Sequence, residues 1–352
     1  MADPIDNTPI IFSDVAARVR GTLFNQPREL GGNVLSAIEK TLNVHEGNNS
    51  ASIVDDWYMG AAQANYNSLE AAAAYLGAYG ARSILKYQEA VFALLLLKKD
   101  LPKRITILDY GAGPCPGYAA LIDLWSLISE FTKETLELRY IAVDRAPFML
   151  EVGETFCSYV RDSAAATLIT SFEVIRTDNM RELEADMLIV ANVLNEGEGN
   201  LNCATALTDM LQHINGVKDI IIIEPASKQP SEQLCSLAQY FPGLQHIGPC
   251  PSNGAECTEW TFREFAKRTY GFERRCASRH SAARTCKYSL ALLSYNTEPR
   301  RVAAKEYVIV RPPTANSLVM TCKHGEKQMF RTSRGIPWDL IDISRNMVKS
   351  YP

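Results

Sequence analysis

The stretch that most constrains the fold is Ile105-Thr-Ile-Leu-Asp109-Tyr-Gly111-Ala-Gly113-Pro-Cys-Pro-Gly117. It is a β-branched apolar run that ends on an acid and passes directly into a glycine-rich turn. Such a run reads as a buried strand, and Gly111 and Gly113 let the backbone turn tightly and approach a ligand with no Cβ in the way. Asp109 sets the sign of that ligand. A carboxylate at the mouth of the loop repels a pyrophosphate and suits a cation, so Asp-x-Gly-x-Gly fits the amino-acid end of S-adenosylmethionine better than NAD. Pro114 and Pro116 agree, because the dinucleotide fingerprint opens its helix at once after the glycines and prolines here delay it. The expected fold is α/β, a Rossmann-like doubly wound sheet of the class I methyltransferase kind, with Asp109, Gly111, Gly113 and Pro114 in its cofactor loop.

A second acid supports this reading. Tyr140-Ile-Ala-Val-Asp144 is another short apolar strand closing on a carboxylate, thirty-five residues after Asp109, and an amphipathic helix pattern over Tyr118 to Phe131 fills the gap. One βαβ unit has that length, so Asp144 is expected at the end of the neighbouring strand, placed to accept the two ribose hydroxyls. Further strand candidates are Phe172 to Arg176, Met187 to Ala191 and Ile220 to Glu224. Ligands of such sheets bind outside the carboxyl ends of the strands. Asp178-Asn179 after the third strand is placed for the adenine edge, and Asn192-Val-Leu-Asn195-Glu196 after the fourth for the methyl carbon. Asn179, and Ser227 after the fifth strand, are better explained one at a time as helix caps.

The first hundred residues read as a helical cap, with apolar stripes over Asn33 to Leu42, Ser68 to Ala78 and Ser83 to Lys98. The aromatic segment Trp57 to Tyr66 either closes over a bound substrate or packs its rings on the sheet. The expected division is 1–100 for the cap, 101–245 for the Rossmann-like domain and 246–352 for a cysteine-rich region with C-terminal strands. A formal charge of −4 gives no global basic field for nucleic acid. No apolar run reaches the roughly 18 residues that span a bilayer, and no export signal is evident, so no membrane partner is expected. Nine cysteines under those conditions point to a reducing, cytoplasmic setting.

Several motifs together resemble one family. Asp109-Tyr-Gly-Ala-Gly-Pro114, Val143-Asp144 with Met149-Leu150, Val193-Leu-Asn-Glu196, Ile223-Glu-Pro225 and Gly248-Pro-Cys-Pro251 occur in order. Lys287-Tyr-Ser289, Val310-Arg-Pro-Pro313 and a hairpin whose first strand ends in Cys322 and turns at His324-Gly325 complete the series. This resembles the methyltransferase-like family of mitochondrial small-ribosomal-subunit assembly factors and their bacterial relatives, over about residues 70 to 335. The resemblance implies a four-cysteine iron-sulfur site with Cys250, Cys257 and Cys322 among its ligands. The family's third ligand follows a tryptophan, but Trp260 is followed by Thr261, and Cys257 lacks the usual following proline. Cys276 and Cys286 are the obvious substitutes. Four thiolates hold either a [4Fe-4S] cluster or a tetrahedral zinc, and spacing does not choose between them. The bland reading leaves all five as core thiols.

The expected activity is S-adenosylmethionine-dependent methyl transfer to a small-molecule acceptor, with a structural metal. Asn192, Asn195 and Glu196 orient the acceptor, Glu196 is the candidate general base, and Tyr58 or Tyr66 of the cap are partners. The rival reading is a factor that binds ribosomal RNA or the small ribosomal subunit, through Arg263, Lys267, Arg268, Arg274, Arg275, Arg279 and Arg284.

Overall fold

The computed structural model describes residues 8–25, 27–47, 53–54, 66–98, 100–179, 182–194, 203–226, 233–234, 237–248, 263–276, 284–295, 308–311, 318–323 and 326–331. The chain divides into two compact units, Met1–Asp186 with Ala266–Cys286, and Met187–Phe265 with Lys287–Pro352.

The first unit opens with four helices: α1 (Ser13–Leu23), α2 (Gly32–Val44), α3 (Leu69–Tyr75) and α4 (Ala81–Leu97). Ser68 caps α3, its hydroxyl accepting the Ala71 N–H at 3.1 Å. The sequence predicts one helix from Ser68 to Ala78. Instead α3 passes into a π-helical turn, Leu76–Gly80, before α4 begins. Packing explains the close approach there: a Cβ on Gly77 would lie 2.8 Å from Cys276 Sγ and 3.1 Å from Leu42 Cδ2. Then β1 (Arg104–Tyr110), α5 (Pro116–Thr132), β2 (Leu136–Asp144), α6 (Pro147–Arg161) and β3 (Leu168–Arg176) follow in strict alternation. β1 pairs parallel with β2, and β2 with β3; Asp109 lies opposite Ala142 and Asp144 opposite Arg176. Burial on both faces gives β1 its unbroken run Ile107, Leu108, Asp109.

The second unit holds β4 (Met187–Ala191), α7 (Cys203–Leu211), β5 (Asp219–Pro225), β6 (Gln245–Gly248) and, from Lys287 onward, β7 (Thr285–Ser294). β4 and β5 are parallel, and Met187–Ala191 and Ile220–Ile223 are fully buried, which accounts for their lack of alternation. β7 runs antiparallel to both β5 and β6 and lies between them. β8 (Val308–Arg311), β9 (Leu318–Lys323) and β10 (Glu326–Arg331) make a separate antiparallel sheet, with Lys323 opposite Glu326. The fold is therefore α/β and Rossmann-like with a mostly parallel sheet, as expected. All five strands read from the sequence are present, each within four residues of its expected ends. Among the described residues no helix is long and apolar enough to cross a membrane.

Buried charge is concentrated in the first unit. Arg28, 1% exposed, donates to Leu85 O at 2.9 Å, Glu89 Oε2 at 3.2 Å and Gln88 Oε1 at 3.0 Å. Gln88 in turn donates to Asp123 Oδ2 at 2.9 Å. Lys267 and Glu273 form a second pair, both side chains fully buried, with the ammonium 3.0 Å from each carboxylate oxygen. Burial pushes the Glu273 carboxyl up, and Lys267 pulls it back. Lys267→Met, which leaves Glu273 buried without its ion-pair partner, is expected to cost about 3–5 kcal/mol in urea unfolding. The double variant Lys267→Met/Glu273→Leu should recover most of that loss, because two apolar groups need no partner.

Candidate functional site

The glycine loop is built by β2. Val143 O accepts the N–H of Gly111 at 2.7 Å and of Ala112 at 3.1 Å, which folds the chain back over the end of the strand pair. Gly111 and Gly113 both take left-handed backbone angles, φ 74° and 53°. A Cβ on Gly113 would meet nothing within 4 Å, so the loop's need for glycine there is conformational, and its outer side is open. Cys115 is also left-handed, φ 56°, and leads into α5, whose first residue is Pro116. A proline at that position loses no hydrogen bond, so Pro116 opens the helix and only Pro114 lies in the stretch between Gly113 and its start. Gly153 on α6 makes room for the bend: a Cβ there would lie 2.6 Å from Cys115 Sγ.

Asp144 closes β2 and joins the loop directly. Its Oδ2 accepts the Gly113 N–H at 2.8 Å and its Oδ1 the Ala146 N–H at 2.9 Å. Burial raises its carboxyl above the ordinary value, while the backbone donors Ala146, Gly113 and Arg145 hold it down. A carboxylate has about four acceptor sites, so three backbone donors leave capacity for a ligand hydroxyl.

Asp109 departs from expectation. The sequence places its carboxylate at the mouth of the loop facing a cation, but the side chain is 0% exposed and turned inward. Tyr87 of α4 donates to Oδ1 at 3.0 Å and Tyr140 of β2 donates to Oδ2 at 2.6 Å. The cause is that β1 is covered on both faces even at its last residues, so an acid at its end meets helix and strand side chains before it meets a ligand. Burial pushes Asp109 up to about 7, against the pull of both hydroxyls. Sequence reasoning missed both tyrosines. Tyr140 carried a signal, being a polar ring inside an apolar strand two residues before the partner of Asp109.

Asp178 follows β3 and is exposed, ion-paired with Arg176 at 2.6 Å, and Asn179 ends the same 3₁₀ turn. Arg176 also lines an open groove of about 870 Å³ between α6 and β3, floored by Leu150, Val174, Ile175 and Leu183. In the second unit Asn192 ends β4 with φ 57°, its N–H donating to Ile223 O at 2.7 Å. The next two N–H groups, Val193 and Leu194, donate to Glu224 Oε1 at 3.1 and 3.0 Å. Glu224, read from the sequence only as a strand-end acid, thus shapes the turn that leads to Asn195 and Glu196. Asn195, Glu196 and Tyr58 lie outside the described residues.

The two expected substitute metal ligands are placed as core thiols with different neighbours. Cys276 donates to Gly47 O at 3.3 Å and packs with Val54, Ala74, Ala78 and Tyr79. Cys286 is 1% exposed; burial raises its thiol and the charges of Lys86, Arg82 and Lys267 pull it back. Among the described residues no group of three or more His, Cys, Asp or Glu side chains is arranged to hold a metal. Cys250 and Cys257 lie outside the described residues, as does the side chain of Cys322, whose backbone on β9 pairs with Val308 and Lys327.

No protein-family model matches the sequence, and no curated protein matches it. Solved structures resemble the fold. A Listeria monocytogenes protein described as a candidate class I S-adenosylmethionine-dependent methyltransferase aligns over 77% of this chain and 91% of its own, at 9% identity and TM-score 0.43. A TehB-like S-adenosylmethionine-dependent methyltransferase of Corynebacterium glutamicum aligns over 59% and 86%, at 12% identity and TM-score 0.30. A Methanococcus maripaludis protein described as a candidate methyltransferase of the same cofactor aligns over 48% and 68%, at 14% identity and TM-score 0.32.

Gly117, at the start of α5, is fixed by the Asp109 cage. A Cβ there would collide with Asp109 Oδ2 and lie 2.7 Å from Tyr87 Cε1 and 3.1 Å from the Tyr140 hydroxyl. Gly117→Ala is expected to cost about 1–3 kcal/mol by overpacking, read as a lower urea midpoint at unchanged slope. Gly21→Ala, with nothing within 4 Å of the added carbon, is the control and should not lower stability.

Proposed function

We propose that this chain is an S-adenosylmethionine-dependent methyltransferase of small-molecule acceptors. The observation that carries the reading is the hydrogen bond from the Gly113 N–H to Asp144, which unites the glycine loop and the second-strand acid at the carboxyl ends of β1 and β2. The residues fit the cofactor: an open, left-handed Gly113 for close backbone approach, and an acid with spare acceptor capacity for the ribose hydroxyls. The bound cofactor supplies an electrophilic sulfonium methyl. Asp144 orients the ribose, and Asp109 lends negative charge from beneath the loop without touching the ligand. The acceptor roles read from the sequence stand as proposals: Asn192, Asn195 and Tyr58 orient the acceptor, and Glu196 takes its proton.

The small-molecule reading is preferred to ribosomal RNA or small-subunit binding. Of the basic residues that the rival reading needs, Lys267 is buried against Glu273, and Arg268 is paired with Glu29 at 2.8 Å. The reducing, cytoplasmic setting is part of the same proposal, as is the resemblance to the ribosome-assembly family. The four-cysteine [4Fe-4S] or zinc site of that family does not fit the described thiols, because Cys276 and Cys286 are held in the core. A metal would rest on Cys250, Cys257 and Cys322, so no catalytic step is built on it.

Two measurements test this. Asp144→Ala should weaken S-adenosylmethionine binding by about 1.5–3 kcal/mol in titration calorimetry, roughly tenfold to over a hundredfold. Unchanged affinity would place the ribose elsewhere, and a steep loss of RNA affinity with salt would favour the rival. Cys276→Ser and Cys286→Ser should leave the iron, sulfide and zinc content of anaerobically purified protein as it is in the parent; a loss of metal in either variant would return that thiol to the ligand set.

A further inference from the structure

The Asp109 cage uses three elements to hold one acid. β1 supplies the carboxylate, α4 the Tyr87 hydroxyl and β2 the Tyr140 hydroxyl, while Gly117 of α5 leaves the space they fill. The ionisable groups that act on this cluster are neutral or anionic: Asp144 on Asp109, Cys115 on both tyrosines, Cys157 of α6 on Tyr140, and Tyr75 of α3 on Tyr87. Two hydroxyls on one buried acid is more than a structural filler needs, because replacing such a cluster by apolar side chains removes the desolvation cost altogether.

We infer that Tyr87 and Tyr140 are positioning residues for the cofactor loop: by both donating to ionised Asp109 they pin the end of β1, two residues ahead of Gly111, in the form that receives the methyl donor. The inference rests on the S-adenosylmethionine reading above. Protonation undoes the arrangement. A protonated Asp109 carries its own donor, so one tyrosine must turn and accept, and the charge-assisted ties that hold the strand end become weaker neutral ones. With Asp109 at about 7, both forms are populated near neutral pH. A sulfonium cation over the loop favours the ionised form, so affinity for the cationic donor rises as Asp109 ionises, and affinity for the uncharged thioether S-adenosylhomocysteine rises less.

The test is calorimetric binding of S-adenosylmethionine and S-adenosylhomocysteine between pH 6 and 8.5, on the parent, Asp109→Asn, Tyr87→Phe and Tyr140→Phe. The parent should gain several-fold in S-adenosylmethionine affinity through an inflection near 7, and Asp109→Asn should lack that inflection. Each phenylalanine variant should move the inflection to higher pH, because the lost hydroxyl favoured the carboxylate. A uniform loss at every pH, with the inflection unmoved, would mean that the hydroxyls are merely structural and would overturn the proposal. Thermal unfolding of the ligand-free protein supplies a second readout. A folded value raised from 3.8 to about 7 makes Asp109's contribution to stability complete below pH 4 and progressively lost toward 7, and Asp123, also raised to about 7 by burial, contributes in the same window. The difference between parent and Asp109→Asn should therefore change with pH over that window, and a constant difference would overturn the inference. Ligand-free linkage without binding of either cofactor form would instead bring down the cofactor reading, and the positioning role with it.

Discussion

A carboxylate sealed from water with no cation against it survives only if hydrogen-bond donors are fixed around it, and much of the first unit is arranged to supply two of them to Asp109. α4 must lie where Tyr87 reaches one oxygen, β2 must be in register so that Tyr140 reaches the other, and α5 must carry no side chain at Gly117. Each requirement fixes one neighbour of β1. The helix that follows the glycine loop cannot shift toward the strand without striking the acid, and cannot start earlier because Cys115 occupies a left-handed position before Pro116. The loop geometry is thus set from below, by packing around Asp109, before any ligand is considered.

The two strand-end acids consequently divide their work. Asp109 is enclosed, and its surroundings act on its proton; Asp144 is half-buried, and its surroundings act on the backbone. Through Gly113 and Ala146 it bonds to both the loop above it and the chain beyond it. A ligand hydroxyl arriving at Asp144 therefore meets an acceptor already oriented by two N–H groups, which lowers the entropy lost on binding. In the second unit Glu224 plays the part that Asp144 plays in the first, a strand-end acid gathering the N–H groups of the neighbouring strand's exit turn. Both strand exits are thus shaped by an acid from the adjacent parallel strand.

The sequence made the glycine loop, Asp144 and the positions of the five strands legible, because each depends on local chemistry: left-handed angles need glycine, and parallel strands buried on both faces need continuous apolar runs. It did not reveal which way Asp109 points. Side-chain alternation tells inside from outside only when one face of a strand meets water, and β1 has no such face near its end. The π-helical turn at Leu76–Gly80 was hidden for a related reason. Its alanine- and glycine-rich pattern is a good α-helix locally, and only the approach of Cys276 and Leu42 to Gly77 distinguishes the observed form.

In the cysteine-rich C-terminal third, charge in sequence and burial in space part company. Arg274, Arg275, Arg284 and Lys287 lie beside Cys276 and Cys286 in sequence, and charged residues are poor company for a buried thiol. All four are exposed, while the two thiols are buried beside other groups. Lys267 and Glu273 satisfy each other at 3.0 Å with neither exposed, and Cys286 sits within reach of Lys86, Arg82 and Lys267 as a protonated side chain raised by burial. Cys276, three residues beyond Glu273 on the same short helix, faces the opposite chemistry, an apolar pocket of Val54, Ala74 and Ala78. Burial of Cys276 and Cys286 is thus set by the elements packed around them, and it coexists with exposed charge at their neighbours in sequence.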